Sequence, residues 1–224
     1  MRTGARPFTS RRSRALTRIV GLLAAPAVLA LAGCAQAPAP DQAPALAAPA
    51  APADMSWLPQ AREISQTVPP RLLAVLQEEI ARGGFGGAVE VCRDKAPALA
   101  RAASEQTGWQ IRRVSLRERN PRAIPDAWER AALEDFDRRA AARESAATLE
   151  RAEVVMEGGQ VVRRYIRALP TMELCVNCHG RPERLNPAAA ARIRQLYPAD
   201  RAVGYQVGEI RGAITLKRAV AAAN

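Results

Sequence analysis

The stretch Cys175-Val176-Asn177-Cys178-His179 constrains this chain more than any other. Two cysteines separated by two residues, with a histidine directly after, form the c-type haem attachment pattern. Two thiols about one turn apart can each form a thioether to one vinyl group of a porphyrin. The next residue then offers its imidazole to the iron. Cys175 and Cys178 are therefore read as the covalent haem cysteines and His179 as the proximal iron ligand, with one haem c per chain. His179 is the sole histidine of the 224 residues. Two competing readings fail on inventory. A structural zinc site needs four ligands, so one cysteine pair and one histidine would have to recruit Cys92 from a distant helix. A redox dithiol is expected to open a helix after a strand of a βαβ unit.

With one histidine, the opposite face of the iron must find another ligand or none. The candidates are Cys92, Met55, Met156, Met172, an amine from Lys95 or Lys217, or water. Of the four cysteines, Cys34 is assigned to a lipid and two to the haem, which leaves Cys92 without a disulfide partner in an oxidising compartment. It lies between Val89 and Ala96 on an apolar helix face. There it is either a small buried hydrophobe or an axial thiolate stabilised by the iron. Met156 is the alternative distal ligand, because Met172 lies too close to His179 in sequence to reach across a porphyrin.

The N-terminus reads as a targeting segment. Basic residues up to Arg18 lead into the apolar run 19–30, broken by Pro26 and ending at Leu31-Ala32-Gly33-Cys34. The run is too short and too broken for a membrane span and fits a signal peptide. Leu-Ala-Gly-Cys resembles a lipobox, so residues 1–33 are expected to be a lipoprotein signal peptide and Cys34 the lipidated residue. Ala35, where an Asp would retain the protein at the inner membrane, points to the outer membrane facing the periplasm. Residues 34–54 form an Ala/Pro-rich tether, and residues 55–224 the haem domain. The formal charge of +11 falls on excluding the leader's six arginines, which leaves 27 basic residues against 22 acidic ones. These are interspersed, with no basic run carrying aromatics, which excludes nucleic-acid binding.

Within the domain, periodicity predicts a short helix, a break at Pro69-Pro70, and a helix over roughly 69–82 closed by Gly83-Gly84. A second helix runs from Phe85 to about Gln106, with Phe85, Val89, Cys92, Ala96 and Leu99 on its inner face and a kink or new turn at Pro97. Trp109 to Leu116 alternates as a strand. Asp126 caps a helix with Glu129 behind it. Val154–Ile166 forms a hairpin around Gly158-Gly159. Asn186-Pro187 opens a last helix, and Gly204–Leu216 is a closing turn and strand. Helices first and an antiparallel sheet later define an α+β class.

Several segments together carry a family resemblance: Ala88-Val89-Glu90-Val91-Cys92…Ala96-Pro97; Arg113 to Pro121 with Pro125-Asp126-Ala127-Trp128-Glu129; Cys175-Val176-Asn177-Cys178-His179-Gly180; and Tyr197 to Tyr205 with Gly208-Glu209-Ile210-Arg211-Gly212. Over roughly 60–216 the chain resembles a bacterial family of c-type haem domains long catalogued as a domain of unknown function, found alone or as extracytoplasmic sensor modules. The resemblance implies a PAS-like antiparallel sheet flanked by helices. It also implies His179 and Cys92 as the two axial ligands. Arg113, Arg119 and Arg211 are candidates for the propionates, since guanidinium matches carboxylate as a two-pronged donor.

Two function classes follow. A thiolate opposite His179 favours ferric iron and is displaceable on reduction or by a gas ligand, which suits a redox or small-ligand sensor. An electron-transfer cytochrome with His/Met or other ligation is the alternative. Catalysis is not expected, since no distal histidine is present to act as acid or base. A sensor without an attached output domain is expected to act through a redox or signalling partner at the membrane.

Overall fold

The computed structural model describes residues 54–220; the leader, Cys34 and nearly all of the tether lie outside them. Helix α1 spans Leu58–Glu90 and passes through a five-residue π-helical turn, Val91–Lys95, into α2, Ala96–Thr107. Strand β1, Gln110–Val114, precedes the capped helix α3, Ala127–Ala141. The hairpin β2, Glu150–Glu157, and β3, Gln160–Pro170, leads to the single turn α4, Val176–His179. Helix α5, Pro187–Leu196, and strand β4, Ile210–Ala219, complete the domain. The fold is α+β: the four strands form one antiparallel sheet in the order β1-β4-β3-β2.

Helices cover both faces of this sheet. On one face α3 packs Ala132, Leu133 and Phe136 against Val114, Ile166 and Ala213. On the other, Trp57, Ala61 and Ile64 of the α1 start pack with Trp109, Ile111, Tyr165, Ile214 and Leu216. The alternation of Tyr165 with Ile166 and of Ala213 with Ile214 follows from the two-residue period of a strand. Being covered on both sides, β4 is buried from Ile210 through Leu216, Arg211 and Thr215 included. The Trp57 and Trp109 rings meet at 5.6 Å, and Trp109 Nε1 donates to Gln60 Oε1.

Asp126 forms a full capping box: its side chain accepts from the Glu129 amide, and Glu129 accepts from the Asp126 amide. The expected break at Pro69-Pro70 is not there. The helix continues through both prolines, one of whose two freed carbonyls belongs to the exposed Gln66, where water can serve it. The interruption falls at Gly84, inside the expected Gly83-Gly84 closure, where glycine tolerates a φ of 70°. Between Gln66 and Gly87 no α1 residue is buried. Val68 and Leu72 in this stretch line a cavity.

Candidate functional site

The turn that carries His179 is built locally. β3 ends at Pro170, a 3-10 turn at Glu173–Cys175 follows, and α4 sets Cys175, Cys178 and His179 on one short turn. Gly180 then lets the chain leave, since a Cβ there would stand 2.5 Å from the Val176 carbonyl oxygen. The loop after α5 folds back onto this turn, with the Tyr205 amide donating to the His179 carbonyl at 2.9 Å and the Gly204 amide to the Gly180 carbonyl at 2.8 Å. His179 Nδ1 lies 2.7 Å from the Ala202 carbonyl oxygen. A carbonyl only accepts, so Nδ1 carries the proton and Nε2 of the neutral ring keeps its lone pair. Burial, then the charges of Arg211, Arg119 and Arg113, hold the His179 pKa well below its ordinary value, so the ring is neutral at physiological pH.

His179 faces a cavity of about 540 Å3, inside the usual range for ligand pockets. Its walls come from Val68 and Leu72 of α1, Ala96 and Leu99 of α2, Ile111 and Arg113 of β1, and Ile214 of β4. Cys92, presented by the π-helical turn, lines the same cavity. Burial pushes its thiol pKa up, against the opposing pull of Arg113, Arg119 and Arg211. The nearby Cys175 raises Cys92 further, and burial pushes Cys178 up to about 11, with smaller contributions from Cys92 and Cys175. Cys92 and His179, both singled out from sequence, thus line one cavity, with Cys175 and Cys178 on the turn that carries His179.

The three arginines divide. Arg119 is engaged: Nε and Nη2 hold both oxygens of Asp200 at 3.1 and 3.0 Å, and Nη2 also donates to the Cys178 carbonyl at 2.6 Å. Its side chain and that of Asp200 are 8% and 10% exposed. The expectation that Arg119 serves a propionate gives way here to a clamp within the protein. Arg211 is nearly buried; Nη1 donates to Ser115 Oγ at 3.0 Å, while Nε has no partner. Burial, then the nearby Arg113 charge, pushes Arg211 down to about 9, still a cation near neutral pH. Arg113 has no carboxylate partner among the described residues and is accessible through the cavity it lines. The surrounding protein lowers its pKa, burial being the main cause. The one acidic residue of the cavity wall, Glu118, pairs with Arg201, so Arg113 and Arg211 are left as two like charges suited to a negatively charged ligand.

The other ligand candidates stand elsewhere. Met156 is 66% exposed on the outer strand β2 and does not line the cavity, so it is not placed to reach the iron. Met172 is also exposed, Met55 packs beside Trp57, and Lys217 pairs with Glu157. Among the described residues no group of three or more His, Cys, Asp or Glu is assembled that could hold a metal ion by itself. Sequence reasoning missed Asp200 and Ala202. Both fall within the quoted Tyr197–Tyr205 segment, but Ala202 contributes a backbone carbonyl, which no side-chain pattern reveals.

An α+β domain with a Cys-x-x-Cys-His turn facing a cavity, and a cysteine from a distant helix in the same wall, is the class of protein that fold and site define. The family model Tll0287-like, described as Tll0287, matches residues 41–218, and the chain belongs to the Tll0287-like family. Among solved structures, the crystal structure of the cyanobacterial heme-protein Tll0287 matches with a TM-score of 0.52 and 24% identity, covering 77% of this chain and 100% of that one. At this identity the likeness is one of fold. No curated protein matches.

Proposed function

We propose that this chain binds one haem c, with Cys175 and Cys178 as thioether attachments, His179 as proximal ligand and Cys92 as distal ligand. The observation that carries the reading is His179, whose Nδ1 is committed to the Ala202 carbonyl and whose Nε2 is left for a metal, lining one cavity with Cys92. The donor set fits the group. Arg113 and Arg211 would receive the propionates, and the unpartnered Arg211 Nε is an atom such a carboxylate satisfies. Val68, Leu72, Ala96 and Leu99 exclude water from the apolar part of the macrocycle. Bound haem supplies a one-electron ferric/ferrous couple and an exchangeable axial position.

The chain's own residues favour a sensor over a carrier. Cys92 sits in a π-helical turn, a geometry frequent at functional sites. Burial disfavours its thiolate, so Cys92 would be held as an anion only against a cationic centre and would be a displaceable ligand there. The lipobox at Cys34 tethers the domain to a membrane, with the outer membrane favoured by Ala35, and its action is relayed to a redox or signalling partner without catalysis. The test is carbon monoxide binding to the ferrous protein. A sensor releases Cys92 on reduction and binds the gas. An electron carrier keeps its ligand set and does not.

A further inference from the structure

We propose that Arg119 and Asp200 are positioning residues that fix the His179 imidazole in its Nδ1–H tautomer by holding the Ala202 peptide. The inference deepens the haem reading, since that tautomer is what leaves Nε2 free for iron, but its geometry does not depend on a cofactor. Asp200 Oδ1 accepts from the Ala202 amide at 2.9 Å and from Arg119 Nε at 3.1 Å. Arg119 Nη2 reaches the Ala202 carbonyl oxygen at 3.4 Å, the same oxygen that accepts from His179 Nδ1. Both backbone polar atoms of Ala202, its amide and its carbonyl, are therefore held by the pair. Through the Cys178 carbonyl, the same Nη2 ties this loop to the turn carrying His179.

The chemistry has a direction. A buried charged pair of this geometry is costly to break and admits little freedom. With it, the Ala202 carbonyl can point only at Nδ1. Without it, the loop has no fixed acceptor at that position, and the neutral ring can take either proton. Arg119 also competes with His179 for the carbonyl's electron density, which keeps the imidazole from becoming strongly anionic in character. A purely structural role would stabilise the loop and leave the tautomer unchanged.

The test uses the one histidine of the chain. The full chain, produced without haem attachment and labelled with ring-15N histidine, gives a single imidazole whose two nitrogen resonances report the tautomer. We expect a protonated Nδ1 and a bare Nε2 in the wild type. The double variant Arg119→Gln/Asp200→Asn removes the fork while keeping the net charge, and its two resonances should move toward a common averaged position. Arg119→Lys keeps the buried charge but lacks the fork, and should shift them part of the way if the double variant does not fold. A wild-type chain with a protonated Nε2, or a folded variant that retains the wild-type tautomer, overturns the proposal. Failure of the chain to acquire haem when the attachment machinery is present overturns the function reading instead, and the tautomer result is read independently of it.

Discussion

Cys92 and His179 line one cavity although about half the domain separates them in sequence, Cys92 from the π-helical turn between α1 and α2 and His179 from α4. α5 packs against the end of α1 through Val89, Ala189, Ile193 and Tyr197, with Cys178 at the edge of that cluster. Both walls of the cavity thus rest on the same small core.

Attachment through Cys175 and Cys178 predicts haem that survives denaturation. The double variant Cys175→Ser/Cys178→Ser should lose all haem staining on a denaturing gel, and each single variant should retain one thioether and a red-shifted absorption from the free vinyl group. Undiminished staining in the double variant would place the attachment elsewhere.

Arg113 and Arg211 predict a change of sign on haem loading. Without haem, Arg113→Gln removes a repulsion between the Arg113 guanidinium and the buried Arg211 cation and should raise the denaturant midpoint. With haem bound, the same variant loses a propionate partner and should lower the midpoint. Denaturant midpoints of the two forms check this. A shift of the same sign in both contradicts the propionate role.

The Asp126 carboxyl predicts an acid-sensitive contribution. Burial alone would raise its pKa, but the Glu129 amide and the Arg164 guanidinium at 2.6 Å outweigh burial and hold it below the ordinary value. A depressed carboxyl contributes stability above its unfolded pKa, near 4, and loses it as pH falls through the lower folded value. Asp126→Asn keeps the cap but not the charge. It should cost about 1 kcal/mol at pH 7, where the half-exposed carboxyl is partly screened, and nothing below pH 2. Urea unfolding across that range is the measurement.

Gly212 predicts intolerance to any side chain. Its φ is 148°, and a Cβ there would stand 2.3 Å from the Val114 carbonyl oxygen and 3.2 Å from Ser115 Cβ. Gly212→Ala should cost roughly 2 kcal/mol or more by strain and overpacking. It should also disturb the neighbouring Arg211–Ser115 hydrogen bond. A thermal midpoint equal to that of wild type would contradict the close approach of β1 to β4.

Local rules made much of the fold legible. Asp126 followed by Glu129 predicted a cap, and Gly158-Gly159 between apolar runs predicted a hairpin; both are present. The hairpin's first strand starts at Glu150, earlier than the apolar run, because its first residues use polar partners: Glu150 accepts from Tyr165 and Arg62, and Arg151 lies over the Trp128 ring. Such pairings leave no apolar alternation to read. Pro69-Pro70 misled because proline's preference is local, whereas this helix is held from both ends. At the site, the residue types that carry the chemistry were visible, but the role of Arg119 was not, since whether an arginine faces a ligand or an internal Asp200 depends on where a distant loop returns.

The most direct measurement of the central claim is the ferric EPR and optical spectrum of the wild-type protein beside Cys92→Ala. His179/Cys92 ligation predicts a low-spin thiolate spectrum in the wild type that is lost in the variant. Ferric spectra unchanged by the substitution would contradict it.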